Sequence, residues 1–331
     1  MKVAIFSTQS YDKEFFEQYN TGEKNQLTYF ENALNKNTVN LAKKFDAVCV
    51  FVNDKVDKPT VELLAKNGVQ LIVLRSAGFN NVDISAAKEN NIKVFRVPAY
   101  SPEAIAEHAV ALILTLNRKT HKAYNRIREN NFSLEHLLGF NLHNKTVGVI
   151  GTGKTGTAFC NIMQGFGCKV LAYDIVENND LKNKGIEYTT LDNLLQTADI
   201  ISLHCPLNPQ TKHLINKDSF TKMKNGVMLI NTSRGAVVNT QDAIESLKNK
   251  KLAYLGIDVY EQESDLFFRD LSESIIQDDV IARLMSFPNV LITAHQGFFT
   301  KEALEQITTI TLNNISDFEN GIANNNEVKI G

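Results

Sequence analysis

The stretch that most constrains the fold of this 331-residue chain runs from Thr146 to Met163. A short apolar, β-branched run, Thr146-Val147-Gly148-Val149-Ile150, leads straight into Gly151-Thr152-Gly153-Lys154-Thr155-Gly156, and a helical pattern follows from Thr157 to Met163. Glycines at these positions allow a tight turn, close approach of backbone to a pyrophosphate, and close packing of helix on strand, while the helix N-terminus favours the anion. The next strand candidate, Lys169–Tyr173, ends at Asp174, 18 residues after Gly156. An acid there can accept both ribose hydroxyls of an adenosine and repels a 2′-phosphate, so NAD is expected over NADP.

The rest of the chain agrees with this unit. Short β-branched runs alternate with helical patterns from end to end, the signature of a parallel sheet covered by helices on both faces. In the first hundred residues the strand candidates are Lys2–Phe6, Ala47–Val52, Leu71–Leu74 and Lys93–Val97, with helical stretches such as Val61–Asn67 and Ile84–Asn90 between them. Pro98 and Pro102 bracket a domain boundary, and Pro102 suits the first position of a long helix reaching about Arg128, capped by Ser101. A second series begins at Thr146–Ile150 and continues through Lys169–Tyr173, Asp199–Leu203, Val227–Asn231, Tyr254–Val259 and Val290–Thr293. A helix from about Thr300 to Glu319 and a polar tail, Asn324-Asn325-Asn326, close the chain.

Composition removes several functional classes. With 35 Lys plus Arg against 37 Asp plus Glu there is no wide positive footprint for a phosphate backbone, so nucleic acid is not an expected partner. The basic stretch Arg118, Lys119, His121, Lys122, Arg126 and Arg128 reads as a solvated helix face. The most apolar helix, around Ala109–Leu116, is flanked by Glu107 and His108 on one side and Arg118 and Lys119 on the other, too short to span a bilayer. Cys49, Cys160, Cys168 and Cys205 show neither disulfide nor zinc spacing and read as reduced thiols of a cytoplasmic protein; the histidines offer no metal site.

Three later strands deliver polar residues at their carboxyl ends, the edge where open α/β sheets bind ligands. Val227–Asn231 leads into Thr232-Ser233-Arg234-Gly235; Tyr254–Val259 leads through Asp258 to Glu261 and Glu263; Val290–Thr293 leads to His295. The residue types suit reduction of a 2-keto acid. Arg234 offers a planar fork of donors for a substrate carboxylate and the adjacent carbonyl oxygen. His295 can give a proton to that oxygen as hydride reaches the carbon. A carboxylate on the other ring nitrogen favours the imidazolium and fixes the ring, and Glu263 is the candidate.

On these residues the chain resembles the D-isomer-specific 2-hydroxyacid dehydrogenases, and within them the fermentative D-lactate dehydrogenase branch. The resemblance spans essentially the whole length: Leu74-Arg75-Ser76-Ala77-Gly78-Phe79-Asn80-Asn81-Val82-Asp83, Val97-Pro98-Ala99-Tyr100-Ser101-Pro102, Ala106-Glu107-His108, Gly151–Gly156, Asn231–Gly235, Asp258–Glu263 and Thr293-Ala294-His295. It implies two doubly wound domains, a Rossmann NAD-binding domain at 101–298 and a smaller flavodoxin-like substrate domain at 1–100 plus 299–331, with a cleft between them. It implies a catalytic triad of Arg234, Glu263 and His295, choosing Glu263 over Glu261. Substrate contacts would come from the backbone N–H groups of Ala77 and Gly78, and from Tyr100, Arg234 and Phe298. Cofactor contacts would come from Gly151, Gly153, Lys154, Thr155, Gly156, Asp174, Cys205, Pro206, Thr211, Thr232, Ser233 and Asp258, the last near the nicotinamide amide. The family further implies a homodimer or homotetramer built through the nucleotide domain.

The expected reaction is therefore pyruvate and NADH to D-lactate and NAD, the D configuration coming from the resemblance alone. A dehydrogenase for bulkier 2-keto acids, of the hydroxyisocaproate type, and an NAD(H)-sensing binding protein on the same scaffold are the alternatives. Three positions depart from the common family pattern. Ser264-Asp265-Leu266-Phe267-Phe268 follows Glu263 where many relatives have Pro, Thr155 replaces Ile, and Gly297 replaces Ala, the last expected to enlarge the substrate pocket beside Phe298 and Phe299.

Overall fold

A computed structural model of the chain describes residues 1–22, 25–263 and 266–329. They form two compact units, the first comprising 1–101 with the chain from 299 onward and the second comprising 102–298. Among the described residues no helix is long and apolar enough to cross a membrane.

The first unit holds strands β1 (Lys2–Ile5), β2 (Gln26–Tyr29), β3 (Ala47–Val50), β4 (Leu71–Leu74) and β5 (Lys93–Phe95), paired in the order β2-β1-β3-β4-β5. Every pairing is parallel. Ile72 and Leu74 of β4 pack into one apolar cluster and Leu71 and Val73 into another, so both faces are covered and the strand reads as an unbroken apolar run. The C-terminal helix Lys301–Glu319, capped by the Thr300 side chain on Ala303 N–H, belongs to this unit. It buries Leu312 and Ile315 against the sheet, each contributing about 1.5–3 kcal/mol when fully removed from water.

The second unit holds β6 (Thr146–Ile150), β7 (Lys169–Tyr173), β8 (Glu187–Tyr188), β9 (Ile200–Leu203), β10 (Val227–Asn231), β11 (Leu252–Ile257) and β12 (Val290–Ile292). The order is β12-β11-β10-β9-β6-β7-β8, again all parallel. Chain direction across the sheet reverses between β6 and β9, and ligands of doubly wound sheets bind at the carboxyl edge of such a switch point. The glycine turn leaves β6 at that edge.

The single helix expected from Pro102 to Arg128 is two helices, Pro102–Arg118 and Thr120–Arg128, broken at Lys119, whose backbone is left-handed with φ 50° and ψ 36°. The cause lies in the returning chain. The side chain of Asn117 pairs with both backbone groups of Phe140 at 2.7 and 2.8 Å, and Gly139 passes so close that an added Cβ would lie 2.7 Å from Asn117 O. The first helix packs against the sheet; the second buries none of its residues.

Candidate active site

The three glycines of the turn after β6 have different reasons to be glycine. Gly151 sits at φ +94° with Cys205 N only 2.5 Å from where a Cβ would stand, and a Cβ on Gly156 would lie 2.0 Å from Gly151 O. The chain itself requires both. Gly153, the N-cap of the helix Lys154–Gly165, has φ −62°, and a Cβ there would meet nothing within 4 Å. Its lack of a side chain leaves open space directly at a helix N-terminus, the cradle a pyrophosphate needs.

Asp174 follows β7 and faces this turn. Its Oδ2 accepts from Thr152 N at 2.6 Å and Thr152 Oγ1 at 3.1 Å, and its Oδ1 accepts from Val176 N at 3.2 Å. Tyr188 O–H on Thr152 Oγ1 completes the frame at 2.8 Å. The loop after β9 carries Cys205, Pro206 and Thr211; Thr211 Oγ1 donates to Pro206 O at 2.6 Å and closes that loop. Ser233 Oγ, after β10, donates to Cys205 O at 2.5 Å and ties the two loops together. Cys205 is buried, which pushes its thiol up to about 11 and leaves it protonated. Thr232 Oγ1 is buried and has no hydrogen-bond partner among the described residues, so a ligand's polar group is its natural complement. The open cradle and this orphaned hydroxyl fit a dinucleotide bound along the carboxyl edge.

Arg234 is half-buried, its NH1 braced on Ser233 O at 2.7 Å, and Asn231 Nδ2 holds Arg234 O at 2.9 Å. A Cβ on Gly235 would lie 2.1 Å from Tyr260 C, so the arginine loop presses directly on the turn that leads to Glu263. Glu263 Oε2 accepts from Tyr260 N at 2.9 Å, and Oε1 lies 2.9 Å from His295 Nδ1. A carboxylate can only accept, so His295 carries a proton on Nδ1 toward Glu263, leaving Nε2 as its second ring nitrogen. Phe268, at φ +63°, sets its ring 5.9 Å from that of His295. Ser264 and Asp265, part of the loop that departs from the family pattern, lie outside the described residues.

His295 has φ +54°, a left-handed conformation that costs a non-glycine residue about 1–3 kcal/mol and persists only where surroundings enforce it. Asp258 enforces it. The backbone O of Asp258 accepts from His295 N at 2.7 Å; Oδ1 accepts from Thr293 Oγ1 at 2.6 Å and Gln296 N at 2.8 Å, and Oδ2 accepts from Gly297 N at 2.8 Å. Burial raises the Asp258 pKa, but the hydrogen bonds from His108 and Thr293 outweigh it and hold the carboxyl below its ordinary range. Gly297 opens no pocket as its lack of a side chain had suggested: a Cβ there would lie 3.0 Å from Asp258 Oδ2 and 3.5 Å from His108 Cδ2. Phe298 is buried.

Ala77, Gly78 and Tyr100 belong to the first unit. Arg96 NH1 donates to Ala77 O at 2.8 Å and Ser76 Oγ to Gly78 O at 2.8 Å. In a trans peptide the N–H points opposite the C=O, so pinning Ala77 O turns the Gly78 N–H the other way. The sequence reading gave no role to His108, Thr293, Gln296 or Phe268. His108 and Thr293 carried a signal only as members of the matched motifs Ala106-Glu107-His108 and Thr293-Ala294-His295.

Comparison with known proteins accords with this geometry. Residues 110–297 match the model of the D-isomer specific 2-hydroxyacid dehydrogenase, NAD binding domain. The D-lactate dehydrogenase of Escherichia coli strain K12 is 52% identical over 328 residues, which are 99% of this chain and 100% of that enzyme. The apo structure of a D-lactate dehydrogenase from Escherichia coli superposes with a TM-score of 0.90 at 49% identity, covering 99% of this chain and 100% of that one. The Aquifex aeolicus D-lactate dehydrogenase, complexed with NAD and lactic acid, gives a TM-score of 0.86 at 37% identity over 96% of each chain. With its sheet order, its glycine turn and its histidine–carboxylate pair, this chain belongs to the D-isomer specific 2-hydroxyacid dehydrogenases, and its second unit is their NAD binding domain.

Proposed function

We propose that this protein is an NAD-dependent D-lactate dehydrogenase that reduces pyruvate to D-lactate. The observation that carries the reading is the Glu263–His295 hydrogen bond of 2.9 Å, set at the carboxyl edge that also bears the dinucleotide turn. Arg234 binds and orients the 2-keto acid through its fork of N–H donors, and the N–H groups of Ala77 and Gly78 bind its carboxylate, with Tyr100 and Phe298 bordering the methyl group. NADH, when bound, supplies the hydride to the carbonyl carbon. His295 Nε2 gives its proton to the carbonyl oxygen, and Glu263 stabilises the imidazolium and fixes the ring. The cofactor is held by Gly151, Gly153, Lys154, Thr155, Gly156, Cys205, Pro206, Thr211, Thr232 and Ser233, with Asp174 on the adenosine ribose. Asp258 contributes through the turn it clamps.

The test is NADH oxidation with pyruvate, followed by chiral identification of the lactate. Rapid oxidation giving only D-lactate supports the reading; L-lactate overturns it. A higher kcat/KM with 4-methyl-2-oxopentanoate than with pyruvate replaces it by the hydroxyisocaproate alternative, since one methylene is worth about 1–3 kcal/mol in such a pocket. Replacing Asp174 with alanine is expected to raise the NADPH/NADH ratio of kcat/KM by about tenfold or more, because it removes both the ribose acceptor and the charge that repels a 2′-phosphate. An unchanged ratio takes Asp174 out of ribose recognition.

The proposal extends to assembly as a homo-oligomer through the second unit. No residue of the helix Thr120–Arg128 is fully buried, Tyr124 and Ile127 on it are 62 and 54% exposed, and beyond it Phe132, Leu134 and Leu138 are 72, 81 and 88% exposed. This arm is nonetheless held in place: Arg126 NH1 donates to Glu135 O and Lys119 Nζ to Leu138 O, each at 2.6 Å. An ordered segment that displays large apolar side chains fits burial against a second copy, where a two-fold contact covers the same patch twice. Changing Phe132 and Leu138 to serine is expected to shift the protein to monomers in sedimentation equilibrium. A monomeric wild type, or an unaltered assembly in the variant, overturns this. The four cysteines are free thiols, which fits the reducing cytoplasm as the compartment.

A further inference from the structure

The carboxylate that clamps the His295 turn also joins it to a second histidine. His108 lies on the helix Pro102–Arg118, with Nε2 3.0 Å from Thr293 Oγ1 and 3.3 Å from Asp258 Oδ1. Thr293 spends its single hydroxyl proton on Asp258 Oδ1, so toward His108 it can only accept. His108 therefore carries a proton on Nε2 and shares it between the threonine oxygen and the carboxylate. Asp258 is 2% exposed, and three of its side-chain donors, Thr293 Oγ1, Gln296 N and Gly297 N, sit on the very turn it holds. His108 supplies a donor from a long helix instead, a reference that does not move with the turn.

We propose that His108 is a positioning residue for proton transfer: its Nε2–H fixes the Asp258 carboxylate, which holds residues 293–297 in the strained turn that aims His295 Nε2. The close fit of Gly297 supports this, because Asp258 Oδ2 and the His108 ring fill the space where its side chain would stand. Once the helix-borne donor is gone, Asp258 and the turn can shift together, and the φ +54° at His295 is free to relax. A displacement of about 1 Å at a reacting group lowers turnover by up to about a hundredfold. The inference rests on the reading of His295 as proton donor.

The test uses the full chain with His108→Gln, His108→Asn and His108→Leu, measuring kcat for pyruvate reduction and NADH affinity by fluorescence titration. Glutamine places an amide N–H close to the histidine Nε2 position, and asparagine places it short. His108→Leu and His108→Asn are expected to lower kcat about tenfold or more with NADH Kd within about twofold of wild type, whereas His108→Gln retains kcat within about threefold. Equal losses in the glutamine and asparagine variants, an unchanged kcat in the leucine variant, or losses matched by weaker NADH binding overturn the proposal. If His108→Leu does not fold, the glutamine and asparagine pair decides. A wild type that turns over no 2-keto acid overturns the underlying reading and this inference with it; an active wild type with three unaffected variants overturns this inference alone.

Discussion

Replacing His295 with glutamine is expected to lower kcat for pyruvate reduction by about 10²–10⁴-fold while NADH affinity stays within about twofold. Glutamine preserves much of the side-chain volume, and the turn beneath it keeps its anchors on Asp258, which come from backbone N–H groups and Thr293 and not from the side chain at 295. What it cannot do is release a proton to an oxygen acquiring negative charge as hydride arrives. The reacting alkoxide must then take its proton from water, and the expected loss corresponds to about 3–5 kcal/mol of transition-state stabilisation. The cofactor contacts proposed at the glycine turn, Asp174 and Thr232 involve other residues, which is why affinity for NADH reads out separately from turnover. Steady-state kinetics at saturating pyruvate with a parallel fluorescence titration checks both. A kcat within about threefold of wild type removes His295 from proton transfer.

Much of the architecture was legible because buried parallel strands are continuous apolar runs with polar ends. Lys169–Tyr173, Val227–Asn231 and Leu71–Leu74 were read at the residues where they occur. The edge strand β2 was not, since Gln26–Tyr29 alternates exposed and half-buried residues and offers no such run, and β8 is only two residues long. The break at Lys119 was hidden because the helical pattern continues through it; its cause is the hooking of Asn117 onto Phe140, a residue twenty-three positions beyond Asn117.

The candidate site divides in the same way. Arg234, Glu263 and His295 stand just beyond strand ends, where ligands of this fold class bind, and their residue types announce their chemistry. The frame that holds them does not announce itself. The resemblance alone marked Asp258 as a cofactor contact; that its side chain receives three donors from residues 293–297 and a fourth from His108 could not be read from sequence, because these pairings exist only once β11 and β12 lie side by side. The positive φ of His295 has no sequence signature at all, because histidine reaches it only under the pull of those bonds.

Arg75 supplies the second large effect, in the first unit. Its guanidinium is 1% exposed and donates to Phe6 O at 3.0 Å and Ser7 O at 3.2 Å, with Nε 3.4 Å from Asp12 Oδ1 and the Phe51 ring 5.2 Å away. Asp54, 2% exposed, accepts from Ser7 Oγ, Leu34 N and Phe51 N at 2.6–2.7 Å beside it. Arg75 stays charged: burial lowers its pKa, but Asp12, Cys49 and Asp54 more than reverse this. Replacement by methionine keeps much of the volume, removes the cation, and leaves Asp12 and Asp54 without it. Removing one partner of a buried ion pair typically costs about 3–5 kcal/mol, so a fall of about 10 °C in the melting transition is expected at pH 7. The sign of the pH dependence follows. Burial already outweighs the hydrogen bonds to Asp54 and raises its pKa above the unfolded value, and loss of Arg75 raises it further. A carboxyl whose folded pKa lies above its unfolded pKa binds more protons when folded, so its penalty is present at neutral pH and fades as pH falls through the folded value. The gap between Arg75→Met and wild type should therefore narrow on acidification from pH 7 toward pH 4, the reverse of ordinary acid destabilisation. Calorimetry across that range checks it: a variant within about 1 kcal/mol of wild type at pH 7, or a gap that widens in acid, means the carboxylates do not depend on Arg75. Because Arg75 directly precedes Ser76-Ala77-Gly78, the same substitution also loosens the segment proposed to bind the substrate carboxylate. Its KM for pyruvate should rise by more than its kcat falls.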